Sequence, residues 1–172
     1  MLGDKVISAY ERMPLAVVGN NRNCINELLQ IARDDLEGHG RPNSEIDPSD
    51  PRIDIRLRHL GKTRHAIPAD GERVVLLDNA NLSTGGTSVD VTDAIDASFS
   101  DISIKATKAL GLQLCGVDIL CEDLTRDAAS QIWNIIELNA APGLDNYSSL
   151  GPEQANRVTG IYRQILEYLS HA

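Results

Sequence analysis

Leu114-Cys115-Gly116-Val117-Asp118-Ile119-Leu120 and Asn134-Ile135-Ile136-Glu137-Leu138-Asn139 are the two stretches around which the chain is organised. Both are short apolar runs rich in Ile, Leu and Val, so each reads as a strand, interrupted by polar residues of the kind that bind hard cations. Side chains alternate along a strand. Glu137 and Asn139 therefore project together, and the same alternation sends Ile136 and Leu138 into the core. If Asp118 meets them from the neighbouring strand, three oxygen donors converge, a set suited to Mg²⁺ that keeps its other positions for water and phosphate. The competing reading is a solvated polar face of an antiparallel sheet.

The remaining composition narrows the class. At 172 residues and 18.7 kDa the chain has the size of one domain spanning 1–172, enough to bury about 70% of its unfolded surface. Cys24, Cys115 and Cys121 are odd in number and lack CxxC spacing, and two lie in an apolar strand. Reduced core thiols and a cytoplasmic location are expected. No signal-like segment and no apolar run long enough for a membrane span is present, so no membrane partner is expected. The net charge of -9 and the scarcity of aromatics argue against nucleic acid as a partner.

Along the chain, Asp4–Met13 alternates as a strand ended by Pro14. Asn23 is placed to cap a helix carrying Ile25, Leu28, Leu29, Ala32 and Leu36, stopped by Gly38 and Gly40. Residues 41–50 are rich in Pro, Asn, Ser and Asp and read as a surface loop. A two-turn helix after Pro51 carries Ile53, Leu57 and Leu60, and Arg73–Leu77 reads as a strand. Ser98 and Asp101 suggest a weak capping box for a helix with Phe99, Ile102, Ala106, Ala109 and Leu110 on one face. A last helix from Pro152 places Ala155, Val158, Tyr162, Ile165, Leu166 and Leu169 in one stripe against the sheet. The expected class is α+β with a largely antiparallel sheet.

Two further features carry chemistry. Asn79–Ser88 packs amides, hydroxyls and the Gly85-Gly86 pair into a loop whose backbone amides can turn toward one point, as in a concave anion site. The alternative is a tight turn. Arg12 ends the first strand and has the fork to hold two phosphate oxygens, although a lone arginine is more often a surface residue. His39, His59, His65 and His171 lack zinc-ligand spacing, and the acidic group Asp90, Asp93, Asp96 and Asp101 lacks EF-hand spacing and reads as a solvated face. Trp133 reads as a packing residue at a strand entrance. No GxSxG elbow or GxxxxGK loop occurs.

The order Gly3-Asp4-Lys5-Val6-Ile7, Arg12-x-Pro14, Val18-Gly19, Asn79-x-Asn81-Leu82-Ser83-Thr84-Gly85-Gly86, Cys115-Gly116-Val117-Asp118 and Ile136-Glu137-Leu138-Asn139-Ala140-Ala141-Pro142-Gly143 resembles the C-terminal part of an ATP-grasp ligase. Its nearest likenesses are cyanophycin synthetase and the ATP-grasp domain of bifunctional glutathione synthetases. The resemblance implies an incomplete ATP-grasp fold and a carboxylate-amine ligase acting on amino acids or peptides through an acyl phosphate, with ATP and Mg²⁺ as cofactors. It implies that Asp118, Glu137 and Asn139 hold the metal, with Glu137 bridging two ions. Arg12, Asn81, Ser83, Thr84, Gly85 and Gly86 would then serve the substrate carboxylate and transferring phosphoryl group, Arg12 and Asn81 also contacting the nucleotide. A nucleotide-binding N-terminal half would be supplied in cis or in trans, the isolated chain would be inactive, and a homo-oligomer is compatible with the pattern. The sequence departs from the family's pattern at Leu144-Asp145-Asn146-Tyr147, where relatives carry a basic stretch with Met and His. A non-catalytic module of the same fold, serving protein interaction or regulation, is the alternative function.

Overall fold

The computed structural model describes residues 1–38, 45–148 and 151–170. His39, Gly40, most of the 41–50 loop's first half and His171 lie outside them. Six strands and five helices follow in the order β1 (Tyr10–Met13), β2 (Ala16–Val18), α1 (Ile25–Gly38), α2 (Pro51–His59), β3 (Arg73–Val75), β4 (Thr87–Asp90), α3 (Ala97–Ala109), β5 (Gly116–Cys121), β6 (Trp133–Asn139), α4 (Asp145–Ser148) and α5 (Pro152–Ser170). The strands make three two-stranded sheets, β1–β4, β2–β3 and β5–β6. The class is α+β, with the antiparallel pairing divided among small sheets. Among the described residues no helix is long and apolar enough to cross a membrane.

The chain forms two compact units, one of Met1–Glu11, Asp90–Leu144 and Ala155–Ala172, the other of Arg12–Val89 and Asp145–Gln154. The second is built on an aliphatic core. In the antiparallel β2–β3 ladder Val17 faces Val74, and both are buried among Ile25, Leu28 and Leu29 of α1 and Ile53 and Leu57 of α2. The period of α1 follows the expected stripe, but its cap differs. Leu28 N–H donates to the Cys24 carbonyl, and Glu27 reaches back to accept from Cys24 N–H at 2.9 Å, so Cys24 is the cap and Glu27 the reciprocal partner. Asn23 supports Glu27 from the side, at 3.3 Å. Beyond residue 44 the predicted surface loop turns inward at Ile46, which is buried in this core.

In the first unit, Phe99 of α3 is buried and meets Trp133 edge-on at 6.3 Å between ring centroids. Burying an aromatic of this size stabilises the unit by about 1.5–3 kcal/mol. Trp133 opens β6, as expected. The cap of α3 is Asp96, whose carboxylate accepts from Ser98 N–H and Oγ–H, rather than the Ser98–Asp101 pair. Its buried face runs Phe99, Ser103, Thr107, while Leu110 stays exposed. Hydroxyls fit in this interior because each donates to the carbonyl one turn back, Ser103 to Phe99 and Thr107 to Ser103, both at 2.8 Å.

Of the four acidic residues expected on a solvated face, Asp93 and Asp101 are exposed. The other two have structural duties: Asp96 caps α3, and Asp90 pairs with Arg157 of α5 at 2.9 Å. The stripe expected on α5 is rotated: Val158 and Ile161 are buried, whereas Tyr162, Leu166 and Leu169, assigned to the interior by their spacing, are 46%, 68% and 59% exposed. The first strand is also shorter than its alternation suggests, because Leu2 bridges Lys5 and Leu114 and the chain does not become extended ladder until Tyr10.

Candidate metal and phosphate site

Asp118 of β5 and Glu137 of β6 are direct partners in an antiparallel ladder that also aligns Gly116 with Asn139 and Val117 with Leu138. Directly opposed side chains in such a ladder share a face. Asp118, Glu137 and Asn139 therefore stand on one face, and Val117 and Leu138 on the other. Glu137 and Asn139 are exposed and Asp118 half-buried. Asn139 is oriented locally, its Oδ1 accepting from Ala141 N–H at 2.9 Å, with a second lone pair left over. Gly116 allows this arrangement. A Cβ there would come within 3.1 Å of the Pro142 ring and 3.7 Å of the Asn139 Cβ.

Ile136 does not enter the core as strict alternation predicts. The register slips between Asp118 and Ile119, which pair with Glu137 and Ile135, so Ile136 is the extra residue of a bulge. Ile136, next to Glu137 in the chain, is 67% exposed, and Leu120, two residues beyond Asp118 on β5 and so on its face, is 63% exposed. Each carboxylate therefore has a bare aliphatic side chain close to it along its own strand. Periodicity alone missed this pair. The signal was the doublet Ile135-Ile136, which breaks a period of two.

The Asn79–Ser88 loop and Arg12 lie in the other unit. Leu82–Thr84 forms one 3-10 turn, capped by the Asn81 side chain accepting from Ser83 N–H and closed by Gly85 in the left-handed region at φ 85°. The amides do converge on one point, but that point is inside the loop. Thr84 N–H, Gly86 N–H and Thr84 Oγ–H all donate to the Asn81 carbonyl, at 3.2, 3.2 and 3.1 Å, and Gly85 N–H donates to Leu82. The expectation that these backbone amides face an anion is corrected accordingly, since donors already bonded within a turn are not available outside it. The glycines are required sterically. A Cβ at Gly85 would lie 2.4 Å from Ile46 Cγ1, and one at Gly86 would lie 2.7 Å from the carbonyls of Asn81 and Met13.

What the loop presents outward is the Ser83 side chain and the remaining face of Asn81, both exposed. Ser83 and Thr84 edge an open cavity of about 330 Å³ whose other polar lining is Glu45, Asp47, Asp50 and Arg52. Arg52 is held by Asp50, to which its Nη2 comes within 2.6 Å. That hydrogen bond keeps the Asp50 carboxyl below the usual aspartate range, and Ser49 does the same for Asp47. Both stay ionised, so the cavity favours a cationic or amino-bearing guest. Arg12 is exposed on β1.

Other sequence candidates remain peripheral. His59 ends α2 and His65 is exposed in the following loop. The described residues contain no cluster of three or more His, Cys, Asp or Glu that could hold a metal ion, so any cation on the β5–β6 face would rest on two carboxylates and an amide. The cysteines are free. Cys115 is buried one residue before β5, and the Cys121 thiol is pushed up by burial, then by Asp123 and Glu11, which leaves it unreactive.

Residues 77–161 match the RimK-like ATP-grasp domain. Over 147 residues the chain is 33% identical to the glutathione biosynthesis bifunctional protein GshAB of Clostridium perfringens, covering 84% of this chain and 19% of that protein. It is 35% identical over 142 residues to the cyanophycin synthetase of Trichormus variabilis, covering 81% and 16%. A crystal structure of a bifunctional glutathione synthetase from Pasteurella multocida superposes with a TM-score of 0.71 and 29% identity, over 95% of this chain and 24% of that one. The chain spans about a fifth of the length of the curated relatives it matches. The likeness drawn from the motifs is thereby borne out.

Proposed function

We propose, from the match of residues 77–161 to the RimK-like ATP-grasp domain, that the chain is the C-terminal portion of an ATP-dependent carboxylate-amine ligase, acting on amino acids or peptides. The observation that carries this reading is the opposition of Asp118 and Glu137 on one face of β5–β6. Like charges placed directly across a ladder are unfavourable, and a divalent cation between them turns that cost into a gain. Asp118, Glu137 and the free lone pair of the Asn139 amide form a hard oxygen set of the type Mg²⁺ takes while keeping sites for phosphate. When bound, Mg²⁺ supplies neutralisation of the charge on the transferring phosphoryl group.

The chain's own residues divide the remaining work. Ile136 and Leu120 offer an apolar platform beside the carboxylates, suited to the flat base of a nucleotide. Arg12 provides a planar fork for phosphate or acyl-phosphate oxygens. Ser83 and Asn81 offer side-chain donors for a substrate carboxylate, a role the rigid turn beneath them supports by fixing their direction. In the reaction the substrate carboxylate takes the terminal phosphoryl group of ATP, releasing ADP. The amine then attacks the acyl carbon, phosphate leaves with the C–O bonding pair, and the amine's proton passes to solvent or phosphate. The cavity beside Ser83 has the acidity to hold an amino group.

The relatives' greater length supports a further nucleotide-binding half in cis or in trans, and a cytoplasmic site of action fits the free thiols. The test is a phosphate-release screen over pairs of amino acids and short peptides, with ATP and Mg²⁺, using the longest natural form of the protein. Release that requires both an acid and an amine supports the ligase. Absence of release across the screen, together with no Mg²⁺-dependent nucleotide binding, assigns the chain to a non-catalytic role.

A further inference from the structure

One corner of the β5–β6 ligand face carries no side chain. Gly116 and Asp118 of β5 are two residues apart and so point to the same side, and across the ladder they pair with Asn139 and Glu137. Of the four positions that make up this patch, three bear oxygen and the fourth is bare. The segment after β6 fills the gap. A Cβ on Gly116 would lie 3.7 Å from the Asn139 Cβ, on the face they share, and only 3.1 Å from the Pro142 Cβ. Half-buried Pro142 therefore sits against Gly116 on the side of the carboxylates, and the chain beyond Asn139 turns back onto the ligand face instead of leaving it. Gly116 is not in the left-handed region, so its backbone does not call for glycine. The space that Pro142 takes does.

Two contacts hold this returning segment. Asn139 Oδ1 accepts from Ala141 N–H at 2.9 Å, and Pro142 follows directly, seated on Gly116. A proline fixes its own φ and confines the residue before it to an extended or polyproline backbone, so the ring stiffens Ala141, which supplies the N–H. We propose that Gly116 and Pro142 are positioning residues for the Asn139 side chain. The bare corner admits the proline, the proline fixes Ala141, and the Ala141 N–H holds one lone pair of the amide oxygen while the other serves the cation. This rests on the metal reading given above and adds to it the residues that aim its one uncharged ligand. A neutral amide attracts a divalent cation less than a carboxylate does, so its contribution depends on being held in place. Outer groups that orient metal ligands are worth roughly ten- to a hundredfold in affinity.

Titration of the chain with Mn²⁺, which takes the same oxygen ligands as Mg²⁺, tests this through the electron paramagnetic resonance signal of the free ion. Gly116→Ala pushes Pro142 away by a few tenths of an ångström. It is expected to lower Mn²⁺ affinity by about tenfold and to shift the Ala141 amide resonance of the metal-free chain, with a melting temperature within about 3 °C of the wild type. Pro142→Gly creates no clash and should by itself weaken Mn²⁺ several-fold. With the corner then open, adding Gly116→Ala should cost less than about twofold more, a non-additivity that a general loss of stability does not produce. Wild-type Mn²⁺ affinity in either single variant overturns the proposal. So does a Gly116→Ala loss as large in the Pro142→Gly background as in the wild type. Mn²⁺ binding that Glu137→Gln leaves unchanged overturns the metal reading itself, and this proposal with it, an outcome distinct from the other two.

Discussion

Asp118 faces Glu137 across the β5–β6 ladder, Cα partner to Cα partner, on the side of the sheet that also carries Asn139. Glu137 is exposed, so Glu137→Gln is expected to leave the melting temperature of the metal-free chain within about 1–2 °C of the wild type. It should also abolish the rise that Mg²⁺ produces in the wild type and, in the ligase assay, lower turnover by roughly a hundredfold or more. Calorimetry with and without Mg²⁺ reads the first two effects. A mutant that answers Mg²⁺ as the wild type does removes Glu137 from the metal site.

The bulge at Ile136 predicts a separation between binding and stability. Because Ile136 is largely exposed, Ile136→Ala should change unfolding free energy by no more than about 0.5–1 kcal/mol, while weakening nucleotide binding several-fold. Phe99→Ala, in the interior of the same unit, should cost about 3–5 kcal/mol. Denaturant unfolding and nucleotide titration on the two variants distinguish a platform from a core residue. Unaltered nucleotide affinity in Ile136→Ala denies the platform.

Gly85 and Ser83 are expected to respond in opposite ways. Gly85→Ala forces a side chain into the left-handed region and against Ile46, and should destabilise by about 2 kcal/mol or more. Ser83→Ala removes an exposed hydroxyl while leaving the backbone bonds of the turn in place. Its melting temperature should stay within a degree or so, with the change confined to the KM for the acid substrate. If Ser83→Ala leaves that KM untouched, the hydroxyl has no part in substrate binding.

Acid sensitivity should centre on the helix caps. The Ser98 hydroxyl and then the Ser98 backbone amide hold the Asp96 carboxyl below its ordinary value of 3.8. The folded form thus binds the proton less readily than the unfolded one. The stabilisation is fully present above 3.8 and is lost as pH falls through the lower folded value. Asn caps a helix about as well and does not titrate there. Asp96→Asn should accordingly match the wild type near neutrality and lose stability less steeply on acidification, as melting curves over the carboxylate range would show. Equal slopes would remove Asp96 from the acid response.

Much of the molecule was legible in its order of residues, wherever a signal is local. The helices at 25–38, 51–59 and 152–170 follow from apolar spacing and from Pro51 and Pro152 near their starts. The Gly-Val-Asp and Glu-x-Asn pieces carried both the family likeness and the shared face of Asp118, Glu137 and Asn139. The errors arose where two local partners compete within a residue or two. Cys24 with Glu27 displaced Asn23, and Asp96 displaced Ser98, because the choice of cap depends on where the chain enters the helix.

By itself, then, the sequence determined most of the segments that coil or extend, with β4, the short α4 and the start of β1 excepted, and which oxygen-bearing residues share a strand, since backbone geometry repeats at fixed periods and needs no distant partner. Tertiary structure decided the bulge that turns Ile136 outward, the close packing that admits only glycine at 85 and 86, and the side of α5 that is buried. Each of these depends on a neighbour remote in sequence: the partner strand for Ile136, Ile46 and Met13 beside the glycines, Gly3 against Tyr168. Periodicity says which residues lie together, and only packing says which of those faces is covered.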